Sequence, residues 1–218
     1  LLERDQLTSG TTWHAAGLVS QLGPTAAVTK IRKYTLDLYK KLEKEVDHSA
    51  GLRINGALSI AQTDARWQEL QRQATTAKLY DVDIKILDKD QIKKNYPIMH
   101  TDDLKGGVLM PGDGAADPSG VTHMLAKGAR LGGAKIFEQS PVETILTKNQ
   151  KVSGVRVNGQ DIECEYVVLA SGMWSRQIGE KIGVSIPLYP AEHFYVITEP
   201  IENLSPTLPV IRDFDSST

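Results

Sequence analysis

Residues 166–174 read Tyr-Val-Val-Leu-Ala-Ser-Gly-Met-Trp, and this stretch decides the fold that the sequence predicts. The apolar run over 166–170 is typical of a strand that is buried on both faces of a parallel sheet. The chain then turns at Ser171 and Gly172, where a residue without a side chain lets a ligand approach the backbone. A helix is expected over residues 174–182, and a helix N-terminus favours negative charge. The residues alone leave two interpretations open: a turn that binds a nucleotide, and an ordinary strand-to-helix connection.

Outward from this stretch, hydrophobic periodicity and turn residues predict alternating helices and strands. The predicted helices cover residues 29–45, 64–80, 88–95 and 119–131, and in the first of them Ile31, Tyr34, Leu38 and Leu42 share the apolar face. The predicted strands cover residues 57–61, 84–87, 106–110, 135–138, 142–147, 152–157, 161–163 and 193–199, with a further strand shortly before Asp215. A tight hairpin turn is expected at Asn158 and Gly159.

This order predicts the α/β (α+β) fold class, with two kinds of segment interleaved. Residues 1–30 and about 135–185 are expected to form a Rossmann-like, nucleotide-binding layer. Residues about 50–110 and 187–218 are expected to form a mixed β-sheet substrate domain. The chain opens without Met and stops just after a strand, so we expect an internal piece of a longer protein, a domain truncated at both ends.

The composition excludes several classes of function. A net charge of −2 gives no reason to expect nucleic acid or an anionic membrane as a partner. No apolar run reaches the roughly 20 residues that a membrane-spanning helix needs. The single cysteine, Cys164, excludes an internal disulfide and fits a reducing compartment.

The N-terminal residues Leu1 to Arg4 are expected to end a buried strand at Glu3. In a doubly wound fold, an acidic residue at this place accepts hydrogen bonds from the ribose hydroxyls of an adenine dinucleotide. Taken alone, a surface glutamate is the favoured interpretation. The glycine-rich phosphate loop that should precede Glu3 would lie about 20 residues upstream, before this chain begins.

Residues 9–18, Ser-Gly-Thr-Thr-Trp-His-Ala-Ala-Gly-Leu, form a second candidate for ligand contact. Glycines and small residues let the backbone come close to a large flat ligand, and the hydroxyl groups could bind a pyrophosphate. A histidine beside a tryptophan is ordinarily a packed or surface residue. Here the neighbours of His14 are too small to bury it, so a ligand is a reasonable candidate to cover it.

Together these residues resemble the sarcosine and dimethylglycine dehydrogenase family, within the FAD-dependent amino-acid oxidase superfamily, and most closely its sarcosine dehydrogenase branch. The resemblance covers nearly the whole chain, and its specific part is Trp-His-Ala-Ala-Gly. The matching stretches are residues 9–18, Tyr-Pro-Ile-Met (96–99), Pro-Gly-Asp-Gly…Asp-Pro (111–118), Ala-Ser-Gly-Met-Trp (170–174), His-Phe-Tyr-Val-Ile-Thr-Glu (193–199) and Arg-Asp (212–213).

The resemblance implies a flavoprotein whose FAD is bound covalently, through its 8α-methyl carbon, to His14. It also implies that Glu3 and Arg4 hold the adenosine ribose and that Val142 contacts the adenine end. The residues expected around the pyrophosphate and the ring are Gly10, Thr11, Thr12, Trp13, His14, Ala16, Gly17 and Leu18, with Gly172 and Trp174 close to the cofactor.

On the substrate side, His193 and Tyr195 alternate with Phe194 on a predicted strand, so both should point to one face. We expect these two as the catalytic residues, with an exposed polar sheet face as the equal alternative. Arg212 could pair with a carboxylate, but a surface position is favoured. Asp113 and Asp117 lie among turn residues, which favours a structured loop over a metal site.

The preferred function is FAD-dependent oxidative N-demethylation of a methylated glycine, sarcosine or dimethylglycine. The alternatives are another secondary or tertiary amine oxidase of the superfamily, and a non-catalytic regulatory relative, against which the Trp13–His14 pair argues. The resemblance further implies folate on a domain absent from this chain and an electron-transfer flavoprotein as the electron acceptor. We expect the bacterial cytoplasm as the location, with the mitochondrial matrix as the alternative.

Overall fold

The computed structural model describes residues 1–216 and separates the chain into two compact units. The first unit contains residues 1–9 and 133–202, and the second contains residues 10–132 and the chain from Asn203 onward. Among residues 1–216, the first unit holds one sheet and one buried apolar cluster, whereas the second unit holds two sheets and several such clusters. The mixed α/β class predicted from the sequence is confirmed.

The helices and strands are numbered in chain order. The helices are α1 Ala26–Val46, α2 Asp64–Ala77, α3 Lys89–Asn95, α4 Pro118–Leu131 and α5 Ser175–Glu180. The strands are β1 Leu18–Val19, β2 Ala57–Ala61, β3 Lys85–Leu87, β4 Gly106–Met110, β5 Gly114–Ala115, β6 Val142–Lys148, β7 Lys151–Val157, β8 Gln160–Glu163 and β9 Val210–Asp213. Short 3₁₀ turns cover Thr12–His14, Lys78–Tyr80 and Gly172–Trp174.

The main sheet of the second unit has the strand order β3-β4-β2-β9. β4 runs antiparallel to both β2 and β3, whereas β9 runs parallel to β2. Every residue of β2 is buried, and Leu58 packs with Ile92 of α3 and Leu104, while Val108 of β4 packs with Leu70 of α2. Because burial of these apolar side chains stabilises the fold, the sheet forms the centre of the unit.

Helix α1 begins after Thr25, whose hydroxyl oxygen accepts a hydrogen bond from the Val28 amide. The helix was predicted, but the predicted apolar face is wrong in part: Ile31 and Tyr34 are 64% and 67% exposed. The buried side instead carries Leu36 and Val46. The reason is tertiary, because α1 packs on α4, where Val46 joins a buried cluster with Met124 of α4.

The sheet of the first unit is the antiparallel meander β6-β7-β8. Both of its turns use residues with positive φ, and the turn predicted at Asn158 (φ 50°) and Gly159 (φ 73°) is confirmed. Ile145, Val155 and Val157 form the buried cluster of this unit, and Leu2 and Ile178 of α5 pack against it.

Three predicted strands of the first unit are wrong. Residues 166–170 and 193–199 belong to no strand, and Val168 and Phe194 are 89% and 86% exposed. Residues 135–138 make only one isolated parallel bridge, between Leu2 and Phe137, so the buried strand expected to end at Glu3 is likewise reduced to that bridge. An apolar run becomes a strand only where a neighbour supplies hydrogen bonds, and no strand within residues 1–216 pairs with 166–170 or 193–199. The helix expected over 174–182 is also shorter, Ser175–Glu180.

Within the described part of the chain, none of the helices is both long enough and apolar enough to cross a membrane.

Candidate functional site

The loop over residues 10–18 presents the tryptophan and histidine that sequence analysis singled out. Thr12–His14 form a 3₁₀ turn, in which the His14 amide donates to the Thr11 carbonyl at 3.3 Å. Trp13 is 55% exposed and His14 is also exposed. Their ring centroids lie 3.7 Å apart at an interplanar angle of 34°. The loop thus offers an aromatic pair on its surface, flanked by the exposed Thr11 and Ala16.

The end of this loop is fixed by a two-stranded ribbon. Leu18 of β1 pairs with Ala115 of β5, and the Gly17 carbonyl accepts from the Ala116 amide at 2.8 Å. Gly17 has a φ of +72°, and a Cβ at this position would lie 2.0 Å from the Ala116 oxygen. Only glycine meets both conditions, so the sequence requires this residue where the loop joins the ribbon.

In the first unit, the structure brings together candidate residues that are far apart in sequence. The Glu3 amide donates to the Phe137 carbonyl at 2.8 Å, while a Glu3 carboxylate oxygen accepts from the Asp5 amide at 3.0 Å. The guanidinium carbon of Arg4 lies 4.5 Å from the centroid of the Trp174 ring. The N-terminal segment and the 172–174 turn are therefore neighbours.

Val142 and Gly172 belong to the same unit. Val142 begins β6, pairs with Val157 and packs on the cluster that Leu2 joins. Gly172 has a φ of +55°, and no heavy atom lies within 4 Å of the position of a Cβ. The positive φ, and not crowding by the protein, is what favours glycine here, and the space beside its Cα is open.

His193 and Tyr195 lie in the first unit, in the segment that was predicted to be a strand. Both side chains are exposed, Tyr195 by 52%. Because the segment is not a strand, the alternation of a sheet does not fix a common face for the two side chains. Their catalytic role stays a prediction.

Arg212 and Asp113 form a buried ion pair that the sequence did not predict. Arg212 was expected at the surface, but its side chain is only 14% exposed, and its Nη2 donates to Oδ2 of the fully buried Asp113 at 3.3 Å. Arg212 lies on β9 beside the buried β2, which places its side chain in the interior. Its Nε is buried and has no hydrogen-bond partner within residues 1–216.

Burial raises the pKa of Asp113, while a hydrogen bond from the Gln21 amide and the charge of Arg212 act in the opposite direction. Burial lowers the pKa of Arg212, and Asp113 opposes that change. The signal that could have found this pair is an arginine directly after two apolar residues, Val210-Ile211-Arg212, together with an aspartate inside a glycine-rich loop.

Asp117 has a local role in the same loop. Its carboxylate accepts from the Ser119 and Gly120 amides at the start of α4, as an N-cap residue does. Among the described residues, no group of three or more His, Cys, Asp or Glu side chains is arranged to hold a metal ion.

Comparison with known proteins adds a family. The FAD dependent oxidoreductase family matches residues 1–218. The chain is 38% identical to "4-methylaminobutanoate oxidase (formaldehyde-forming)" of Paenarthrobacter nicotinovorans and 37% identical to mitochondrial sarcosine dehydrogenase of Homo sapiens. Each alignment covers 100% of this chain, but 26% and 24% of the relative, so the chain spans about a quarter of these proteins' length.

Among solved structures, the chain superimposes on L-proline dehydrogenase from P. horikoshii with a TM-score of 0.89 and 26% sequence identity. The match covers 97% of this chain and 56% of that chain. The resemblance on which the sequence analysis relied is thus confirmed over the whole chain.

Proposed function

Because the chain belongs to the FAD dependent oxidoreductase family, we propose that it forms part of an enzyme that oxidises the CH–NH group of a methylated amine. The preferred substrate is a methylated glycine, sarcosine or dimethylglycine, which would be N-demethylated. The observation that carries this proposal is the Trp13–His14 pair, exposed on a loop that a glycine-dependent ribbon holds in place.

The residues present fit a flavin dinucleotide. The open space beside Gly172 leaves room for a ligand against the backbone, and an exposed tryptophan offers a planar surface to a flat ring. When bound, FAD would supply the two-electron acceptor. We propose that His14 carries it covalently, since an imidazole nitrogen is a nucleophile available at neutral pH. The new N–C bond would replace one C–H bond of the 8α-methyl group and the imidazole N–H bond. The electron pair and the protons released would reduce the flavin ring, which the electron acceptor of the enzyme would then reoxidise.

The other expected cofactor residues keep their proposed roles within their own units. Glu3 and Arg4 would hold the adenosine ribose, with Val142 at the adenine end. One carboxylate oxygen of Glu3 already accepts from the Asp5 amide, so the other is the one proposed to meet a ribose hydroxyl. The residues proposed along the pyrophosphate and ring are Gly10, Thr11, Thr12, Trp13, Ala16, Gly17 and Leu18, together with Gly172 and Trp174.

His193 and Tyr195 are proposed to meet the substrate. The amine must enter as the free base, because the nitrogen lone pair forms the new C=N bond as the N-methyl carbon loses a hydrogen with its electron pair. An imidazole can take the ammonium proton, and a phenol can hold the substrate by a hydrogen bond. Water or folate would then take up the one-carbon unit, and an electron-transfer flavoprotein would accept the electrons.

A second candidate is an enzyme for a longer methylated amine. The identity to 4-methylaminobutanoate oxidase is 38%, slightly above the 37% identity to the human sarcosine dehydrogenase. The non-catalytic regulatory role is less favoured, because a regulatory relative is not expected to keep the Trp13–His14 pair. As to location, a relative named as mitochondrial supports the mitochondrial matrix as the alternative to the bacterial cytoplasm.

The test is substrate profiling of the full-length protein with sarcosine, dimethylglycine, 4-methylaminobutanoate and betaine. The rate at which each compound bleaches the flavin absorbance is measured without oxygen. Betaine is the matched control, because its quaternary nitrogen has no lone pair. We expect one of the N-methylglycines to bleach the flavin fastest and betaine not at all. A preference for 4-methylaminobutanoate would select the second candidate. Equal rates with all four compounds would contradict amine oxidation.

A further inference from the structure

The Asp113 carboxylate joins three segments of the second unit that are distant in sequence. Its Oδ1 accepts from the Gln21 amide at 2.9 Å, and its Oδ2 accepts from Arg212 Nη2 at 3.3 Å. The Asp113 carbonyl also accepts from the Gly56 amide at 2.9 Å. Because Asp113 is 0% exposed, these donors and not bulk water satisfy its carboxylate.

The contact with Gln21 continues the ribbon that leads back to the Trp13–His14 loop. Val19 pairs with Gly114, Leu18 pairs with Ala115, and the Gly17 carbonyl accepts from the Ala116 amide. The hydrogen bond from the Gln21 amide to the Asp113 carboxylate extends this pairing by one more contact, in which the acceptor is a side chain. Residues 17–21 are therefore held against residues 113–116 over their whole length.

Asp113 and Arg212 form a buried ion pair in which each charge depends on the other. Removal of the carboxylate would leave a buried guanidinium without its partner and a Gln21 amide without its acceptor. Losing one member of a buried pair is far more costly than losing one member of an exposed pair. The exposed pair Arg156–Asp161, with side chains 44% and 50% exposed, is the contrasting case in this chain.

We propose that Asp113 is a positioning residue for flavin attachment, because its bonds to Gln21 and Arg212 fix residues 17–21 and thereby set the loop that carries His14. The inference rests on the proposed function, in which His14 holds the flavin. Asp113 acts through Gln21 and the ribbon and does not itself contact the cofactor.

The test measures covalent attachment, not turnover. Full-length apoprotein is mixed with FAD, samples are denatured in acid over time, and the flavin that stays with the protein is measured. We expect Asp113→Ala to attach flavin about tenfold more slowly, which corresponds to about 1.4 kcal/mol. Asp117→Ala is the matched control: it removes an aspartate of the same loop and the cap of α4, but no contact with Gln21.

Two further variants separate the hydrogen bond from the charge. An asparagine at 113 can still accept from the Gln21 amide through its amide oxygen but leaves Arg212 unpaired. The double variant Asp113→Asn with Arg212→Gln keeps that acceptor and removes both charges. We expect the double variant to attach flavin faster than Asp113→Asn alone. If Asp113→Ala does not fold, this comparison of the two asparagine variants tests the proposal in its place.

Attachment by Asp113→Ala at the wild-type rate would overturn the inference. Equal slowing by Asp117→Ala would overturn it too, since the effect would then be general destabilisation of the loop. A failure of the proposed function looks different: the wild-type protein would itself attach no flavin, and His14→Ala would behave as wild type does.

Discussion

The guanidinium of Arg4 lies over the ring of Trp174, with 4.5 Å between the guanidinium carbon and the ring centroid. This contact joins the N-terminal segment to the 172–174 turn, two places where the sequence predicts cofactor contact. The adjacent bonds of Glu3 to Phe137 and of Ser140 to Glu3 keep the N-terminal segment in place. The first unit thus assembles its candidate nucleotide contacts from local and long-range interactions together.

The Arg4–Trp174 contact predicts a measurable coupling. In a double-mutant cycle with Arg4→Met and Trp174→Leu, the two changes should be non-additive in the free energy of unfolding by about 0.5–1 kcal/mol, as for an exposed cation–π contact. Urea unfolding of the four proteins measures this. A control cycle that combines Arg176→Met with Trp174→Leu should be additive, because the Arg176 guanidinium pairs with Glu180. A coupling of zero for Arg4 would contradict the contact.

Gly17 should be difficult to replace for two reasons, its positive φ and the closeness of the Ala116 backbone. Gly17→Ala places a Cβ 2.0 Å from the Ala116 oxygen at a φ of +72°, so the backbone must move and β1 must separate from β5. The control is Gly159→Ala, which has a similar φ of +73° but no atom within 4 Å of its Cβ. The control should cost about 1–2 kcal/mol, the price of the left-handed conformation alone. Thermal unfolding should rank Gly17→Ala below it, and the reverse order would contradict the geometry.

The free energy of unfolding should depend on pH through the titration of Asp113. Burial, the largest influence, raises its pKa in the folded state. The folded protein therefore binds more protons at this site than the unfolded chain, and the contribution of Asp113 to stability is lost as the pH rises from the ordinary toward the raised pKa. Relative to Asp113→Asn, the wild type should lose free energy of unfolding across that interval. Urea unfolding at a series of pH values checks the sign, and a gain would contradict it.

The proposed catalytic residues should affect turnover more than stability. His193→Asn and Tyr195→Phe remove groups that are exposed here, so we expect little change in the temperature of unfolding. Removing a general base typically lowers kcat by about 10²–10⁴-fold. Steady-state kinetics of the full-length protein measures this. Phe194→Leu, an exposed neighbour without a titratable group, is the control, and the two residues have no catalytic role if their variants match it.

Local signals in the sequence predicted the elements that local interactions determine. The helix predicted over 64–80 begins at Asp64, where Thr63 caps it. Asn158 and Gly159 were expected to turn a hairpin, and they do so with positive φ. These signals work because the cap and the turn are satisfied within a few residues.

The sequence could not predict what depends on distant partners. The exposed Ile31 and Tyr34 satisfy the helical period, but the packing of α4 decides which face of α1 is buried. The run 166–170 has the composition of a buried strand, yet a strand also needs a neighbour. In the site, the loop over 10–18 was predicted from its small residues. The Asp113–Arg212 pair was not, since 99 positions separate its members and only the fold brings them together.

The most direct test of the proposed function is whether flavin is bound covalently to His14. The full-length protein is purified with its flavin, denatured in acid and digested, and the peptide that contains His14 is weighed by mass spectrometry beside the same peptide from His14→Ala. We expect yellow, protein-bound absorbance and an FAD-sized increase in mass on the wild-type peptide only. Free FAD in the supernatant together with an unmodified His14 peptide would contradict it.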